Sequence, residues 1–254
     1  MIAAIVQARM GSTRLPGKVL KEFCGRPLLW HVVNRLHRTA RLDMIVVATS
    51  DEPLDDRVAA FCHQEGIPCF RGNEKDVLDR YYNAAKNFGV DVVVRVTADC
   101  PLIDPVVLDE IIEAYKEERC DYASNTIDRS YPDGLDVEVF SFNALEKAWQ
   151  EASLASEREH VTPYIWKNRD KFKICQVTQK KNLSGLRWTV DEPEDLMFVK
   201  TIYNHLHKPG QVFLMNEVLS LLDKHPEFMQ INQGFMRNEG YIRSLHKDHI
   251  VTHP

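Results

Sequence analysis

The sequence predicts a three-layer α/β fold with a mostly parallel central sheet, and three observations carry that expectation. Short continuous runs of apolar, largely β-branched residues ("IAAIVQA", "DMIVVATS", "DVVVRVTADCPLI") have the character of strands covered on both faces. Between them lie amphipathic segments of helical length ("RPLLWHVVNRLHRTA", "LDDRVAAFCHQEG", "DVLDRYYNAAKNFG", "PVVLDEIIEAYKEE"). That alternation builds parallel sheets from crossover units. Finally, 254 residues suffice to bury a sizeable core in one large domain.

After Cys120 the rhythm changes. "DYASNTIDRSYPDGLDVEVFS" contains strand-like pieces around the turn signal Pro132-Asp133-Gly134, and the helix "FNALEKAWQEAS" follows. Residues 120–186 therefore read as a small inserted β/α element that carries substrate contacts. A further strand, "LRWTVD", precedes a helix whose start is marked by Pro193 and an acidic first turn. The core domain is expected to end at residue 208, with 209–254 as a helical appendage packed on it. The late histidines His246, His249 and His253 read as part of a solvated chain end.

Composition narrows the function. Lys and Arg number 32 against 37 Asp and Glu, a net charge of −5, so no nucleic-acid partner is expected and any anion site must be local. The first residues lack the charged start and apolar length of a signal peptide, and no apolar run reaches membrane-spanning length. Six cysteines are scattered without a CxxC pair, which fits reduced thiols in the cytoplasm.

Against that acidic background the segment "QARMGSTRLPGKVL" is basic. It follows the first predicted strand, at the sheet edge where open α/β proteins bind ligands. Gly11 permits close approach of a ligand to the backbone, Ser12 and Thr13 offer hydroxyls, and Arg9, Arg14 and Lys18 can converge on one anion. The expectation is a phosphate cradle, with a solvated basic loop as the plain alternative. Pro16 and the missing hydroxyl residue after Lys18 separate it from an ATPase phosphate loop, and it has no GxGxxG pattern.

The same stretch resembles the amino-terminal signature of the cytidylyltransferase superfamily that includes CMP-Kdo synthetase and acylneuraminate cytidylyltransferase. Its nearest branch is the spore-coat polysaccharide biosynthesis protein F family. The resemblance continues through "TADCPLID", "YPDGLDVEVF", "SEREHVTPYIW" and "RWTVDEPEDL", across roughly residues 1 to 200. It implies a Rossmann-like nucleotidyltransferase fold in which Gln7, Ala8, Arg9, Gly11, Ser12, Arg14 and Lys18 bind the triphosphate of CTP. By the same resemblance Arg71, Asn73 and Asp76 approach the base and ribose, although Asp76 and Arg80 are also spaced as an ordinary helix-surface pair. A homodimer is implied as well.

A triphosphate held by cations ordinarily arrives with magnesium, which takes one or two carboxylates and fills its other positions with phosphate and water oxygens. Asp99 and Asp191 each close a predicted strand on the edge that carries the Gly11 loop. Singly, either is an unremarkable turn or cap residue; as a pair they are the candidate Mg2+ ligands. With Arg14 and Lys18 they make up the candidate catalytic set, for attack of a substrate oxygen on the α-phosphorus with pyrophosphate leaving. Asp136 and Glu138, two apart in a predicted strand, together with Glu157, His160 and Arg187, are the candidate acceptor contacts. The acceptor expected is a sugar acid or related small molecule, for surface polysaccharide synthesis. A nucleotide-sugar glycosyltransferase is the alternative enzyme, disfavoured because "TADCP" has no second aspartate; a non-catalytic nucleotide-binding protein is the alternative outside enzymes.

Overall fold

The computed structural model describes residues 1–251. The chain opens with β1 (Ile2–Gln7), a small hairpin of β2 (Glu22–Phe23) and β3 (Arg26–Pro27), and α1 (Leu28–Leu36). β4 (Met44–Ser50), α2 (Asp56–Gln64), β5 (Cys69–Gly72), α3 (Val77–Phe88), β6 (Val92–Thr97) and α4 (Pro105–Glu118) continue the predicted alternation. β7 (Tyr122–Ser124), β8 (Glu138–Ser141), α5 (Phe142–Glu151), α6 (Ala155–His160), α7 (Pro163–Lys167) and β9 (Ile174–Gln176) follow. α8 (Pro193–Leu206), α9 (Met215–Lys224) and α10 (Glu239–His246) complete the described chain.

One seven-stranded sheet has the order β5-β4-β1-β6-β8-β7-β9. β1 pairs in parallel with β4 and β6, and β4 with β5, while β8 runs antiparallel to both β6 and β7. The three-layer α/β expectation is met. The strand period of two divides the core: Ala4 and Val6 of β1 face one apolar cluster and Ala3 and Ile5 the other, all fully buried. Caps follow local chemistry, with Asp76, Asp104 and Ser141 each accepting a backbone N–H at the start of α3, α4 and α5.

The segment after Cys120 does not stand apart from the sheet. β7, β8 and β9 extend it, and because β8 is antiparallel on both sides, β7 again points the same way as β6. The turn after β7 and the start of β8 thus lie on the edge where β1 and β6 end.

A correction concerns "LRWTVD", predicted as a sheet strand ending at Asp191. It makes only an isolated bridge, between Asp133 and Arg187. Its alternation is real, since Trp188 and Val190 are buried, but it is held through loops: Trp188 N–H donates to Asp133 O (2.7 Å) and Val190 N–H to Asp99 O (2.8 Å).

His31 on α1 is buried, stacks on Phe23 (centroids 4.1 Å apart) and places Nε2 2.9 Å from Phe23 O. Burial pushes its pKa down to about 4. Between the unfolded value of 6.5 and about 4 the unfolded chain binds more protons, so this contribution is fully present above pH 6.5 and is lost as pH falls through that window. It amounts to about 3 kcal/mol at most. Urea denaturation at pH 7 and pH 5 should show a smaller loss of stability on acidification in His31→Gln than in the wild type.

Candidate active site

The basic loop is held by its own hydrogen bonds. Ala8 N–H donates to Ala48 O (3.1 Å), Met10 N–H to Asp55 Oδ1 (2.6 Å), and Ser12 and Gly17 N–H both to Met10 O (2.9 and 3.0 Å). Gly17 has φ +67°, the left-handed conformation that turns the chain into a single 3-10 turn at Lys18–Leu20. That turn aims the Lys18 side chain inward. Asp55, which also bonds Ser50, organises the loop from the β4 side. It was not foreseen from the sequence, where the only signal is an acid at a helix start.

The Lys18 ammonium sits between the two predicted acids. It donates to Asp99 Oδ2 (2.8 Å), Asp191 Oδ1 (2.7 Å) and Val190 O (2.8 Å), and Lys18 is 8 % exposed. Burial alone would lower its pKa, but the charges of Asp99 and Asp191 outweigh it and raise the pKa above the usual 10.5. Burial likewise pushes Asp99 up, yet Lys18 wins and holds it at about 2. Lys18 and Asp99 are therefore ionised at neutral pH, and with Asp191 on the same ammonium they form a triad. Arg14 joins it through Asp191 Oδ2 (3.0 Å), and also contacts Glu192 (3.1 Å) and Glu239 (3.3 Å).

Asp191 is set in place by Asp195, a fully buried carboxylate that the sequence reading passed over. Asp195 Oδ2 accepts from Asp191 and Glu192 N–H, both at 2.9 Å. Arg187 binds the same carboxylate bidentately (2.7 and 2.8 Å), with Asn232 at 2.9 Å. The signal was the "EPED" capping box. Arg187 thus faces Asp195 and Asp133 and stands behind the acids.

A cleft of about 390 Å³ opens beside the triad. Arg14, Asp99, Asp191, Asp136, Glu138 and His160 all line it, so six of the predicted residues converge there. Glu138 opens β8, pairs with Arg95 and accepts from Tyr122 Oη (2.5 Å) and Thr162 Oγ1 (2.6 Å). Asp136 precedes the strand and pairs with Arg237. Burial and then its neighbour Asp136 push Asp133 up to about 6, and burial raises Asp136 too. His160, 3.0 Å from Ser244 Oγ, is driven by burial to about 4 and so is neutral at pH 7.

The remaining predicted residues lie elsewhere. Glu157 accepts the Leu154 N–H (3.4 Å) at the start of α6. Arg71 pairs with Asp56 (2.6 Å), Asn73 Oδ1 accepts from Lys75 and Asp76 N–H (2.9 Å each), and Asp76 binds Arg158 (2.6 Å). Arg71 lies at the end of β5 and Asn73 and Asp76 just after it, near the basic loop where Arg9 approaches Glu74 (3.7 Å) and Glu74 Oε1 would lie 3.4 Å from a Cβ on Gly11.

The donor set suits magnesium. Two carboxylates lie within 2.8 Å of one ammonium and so are close enough to share a cation. Among the described residues no cluster of three acidic, His or Cys ligands exists. His246 and His249 join no such cluster, and His253 lies outside the described residues.

A family model described as cytidylyltransferase matches residues 3–234. The spore coat polysaccharide biosynthesis protein SpsF of Bacillus subtilis is 34% identical over 89% of this chain and 95% of its own length. The structure of a cytidylyltransferase from Leptospira borgpetersenii is 33% identical, covering 93% of this chain and 99% of that one with a TM-score of 0.86. At fold level the chain also resembles a CMP:2-keto-3-deoxy-manno-octonic acid synthetase solved with CTP, with a TM-score of 0.61 at 20% identity over 80% of this chain and 98% of that one. No helix among the described residues is long and apolar enough to cross a membrane. From the basic loop, the paired acids that Lys18 bridges and the match over most of its length, this chain is a nucleotidyltransferase that belongs to the cytidylyltransferase family.

Proposed function

We propose that the protein transfers CMP from CTP to a sugar acid or closely related acceptor in the cleft, with magnesium and with release of pyrophosphate, in a cytoplasmic pathway for surface polysaccharide and as a homodimer. One observation carries the reading: a buried lysine from the basic loop joins two carboxylates from separate segments, Asp99 and Asp191, beside the cleft. The names of the SpsF relative and of the CTP-bound synthetase support the polysaccharide context and the acceptor class.

Each group has a definable task. The Gly11 loop presents backbone N–H groups and the Arg9 and Arg14 guanidinium groups to the phosphates. Lys18 stays an ammonium throughout, and on nucleotide binding it exchanges part of its bond to the acids for a phosphate oxygen, placing positive charge where the leaving pyrophosphate gains negative charge. Asp99 and Asp191 would hold magnesium, whose contribution when bound is charge neutralisation at the α-phosphate. Asp133 and Asp136, with elevated pKa values, face the acceptor side and can take its hydroxyl proton. Neutral His160 can share a hydrogen bond without adding charge.

Pyrophosphate release, measured with each of the four NTPs, magnesium and a panel of sugar acids, tests the assignment. Release is expected with CTP and to cease when EDTA removes the metal. Equal release with UTP, or turnover unaffected by EDTA, refutes the nucleotide or the metal respectively.

A further inference from the structure

The carboxyl-terminal segment reaches the cleft without packing into the core. Asn232 is buried, and its side chain donates to Asp195 (2.9 Å) and Arg187 O (3.0 Å), but from Gln233 to Val251 no residue is buried. Gly234 turns the chain with φ +94°. On α10 even Ile242 and Leu245 stay exposed. The chain is fixed again only beyond that helix, where Ala155 N–H donates to His249 O (2.9 Å) and Val251 N–H to Ser153 O (2.8 Å). Residues 235–247 are thus a strap pinned at both ends, and its residues 238–241 form one wall of the cleft. The family match stops at residue 234, where the strap begins.

What holds the middle of the strap is mostly charge. Arg237 bonds Asp136 and lies 3.3 Å from Asp133, Glu239 lies 3.3 Å from Arg14, and Ser244 donates to Glu159 (2.7 Å) beside His160 (3.0 Å). Tyr241 adds edge-on ring contacts with His160 and Trp166, at centroid distances of 5.0 and 6.2 Å. Partly exposed ion pairs contribute little each, and a helix that buries no side chain belongs to the part of a fold that opens most easily.

The two strap charges are set against the two halves of the site. Arg237 meets Asp133 and Asp136, and Glu239, two residues on, meets Arg14 on the phosphate side. Of the three acids on Arg14, Asp191 (3.0 Å) and Glu192 (3.1 Å) are chain neighbours, while Glu239 comes from the strap and is the most distant. It offers one negative charge where a chain of phosphates brings several, so it is the partner that a polyphosphate displaces. Arg243, one turn along α10, is its second partner and retains it on release.

We propose that residues 235–247 are an autoinhibitory strap: in the empty enzyme Glu239 occupies the Arg14 guanidinium, and the polyphosphate of the nucleotide takes its place and frees the strap from the wall of the cleft. The inference rests on the reading of Arg14 as a phosphate ligand. The strap keeps the cleft narrow until nucleotide is bound.

The test is hydrogen exchange of peptides from residues 235–247 in the full chain, alone, with CTP and magnesium, and with inorganic tripolyphosphate. Calorimetry gives the affinity for both ligands in wild type, Glu239→Gln and Arg243→Gln. Exchange in the strap is expected to rise at least about threefold with either ligand, and Glu239→Gln to bind both about two- to fivefold more tightly, the range for a partly exposed ion pair that no longer competes. Arg243→Gln removes a pair from α10 but leaves Glu239 on Arg14, so its affinities should not tighten. Strap exchange that stays level or falls when CTP is bound, unchanged affinity in Glu239→Gln, or equal tightening in Arg243→Gln overturns the inference while the nucleotide reading stands. Strap release by tripolyphosphate without any binding of CTP supports the strap and overturns the nucleotide. Absence of binding of either ligand overturns both.

Discussion

Asp99→Asn should lower kcat by about 10²–10³-fold, the size of effect expected when a charged group that stabilises developing charge is removed. The substitution keeps the shape of the side chain but removes one of the two charges that Lys18 bridges, and with it one of the two candidate metal ligands. Val190 O and Asp191 still hold the ammonium, so the fold should survive with a near-normal melting temperature. Steady-state kinetics alongside thermal denaturation separate the two effects. A variant with wild-type kcat at saturating CTP and magnesium would remove Asp99 from the machinery and leave it a structural partner of Lys18.

Gly134→Ala should be the most damaging single-methyl change in the chain. An added Cβ would lie 2.7 Å from both Thr189 N and Trp188 C and 2.9 Å from Trp188 O, and the residue has φ +105°. The neighbours are backbone and cannot rotate away. The expected loss is about 3 kcal/mol or more, a fall in melting temperature on the order of 6–12 °C for a chain of this size. Activity should fall with it, because this contact docks Asp133 against the segment that ends at Asp191. Gly89→Ala is the control: Gly89 also has positive φ (+64°) but no atom within 4 Å of its added Cβ, so it should cost only about 1 kcal/mol. Equal melting temperatures for the two variants would show that the 134–188 approach is not tight.

Much of the fold was legible from pattern. The buried strands β1, β4 and β6 and the amphipathic α1, α3 and α4 lie where apolar runs and helical spacing placed them, since strands covered on both faces must be apolar throughout. "LRWTVD" misled for a physical reason. Alternating burial reports which side chains face the core, and it is the same for a sheet strand as for an extended segment docked through loops.

The site divides along the same line. Local chemistry in the sequence determined the basic loop and its left-handed Gly17, the helix caps, and the acids at Asp99 and Asp191, because backbone conformation, capping and charge depend on residues a few positions apart. Only the tertiary structure decided that Lys18 is the bridge between those acids, 81 and 173 residues away. It alone brought Asp55 beneath the loop and Asp195 behind Asp191, and turned Glu157 to a cap and Asp76 to Arg158. It also brought residues 238–241 to the wall of the cleft. Charge pairing is a property of distance in space: among several arginines of identical chemistry, only packing settles which acids each one meets.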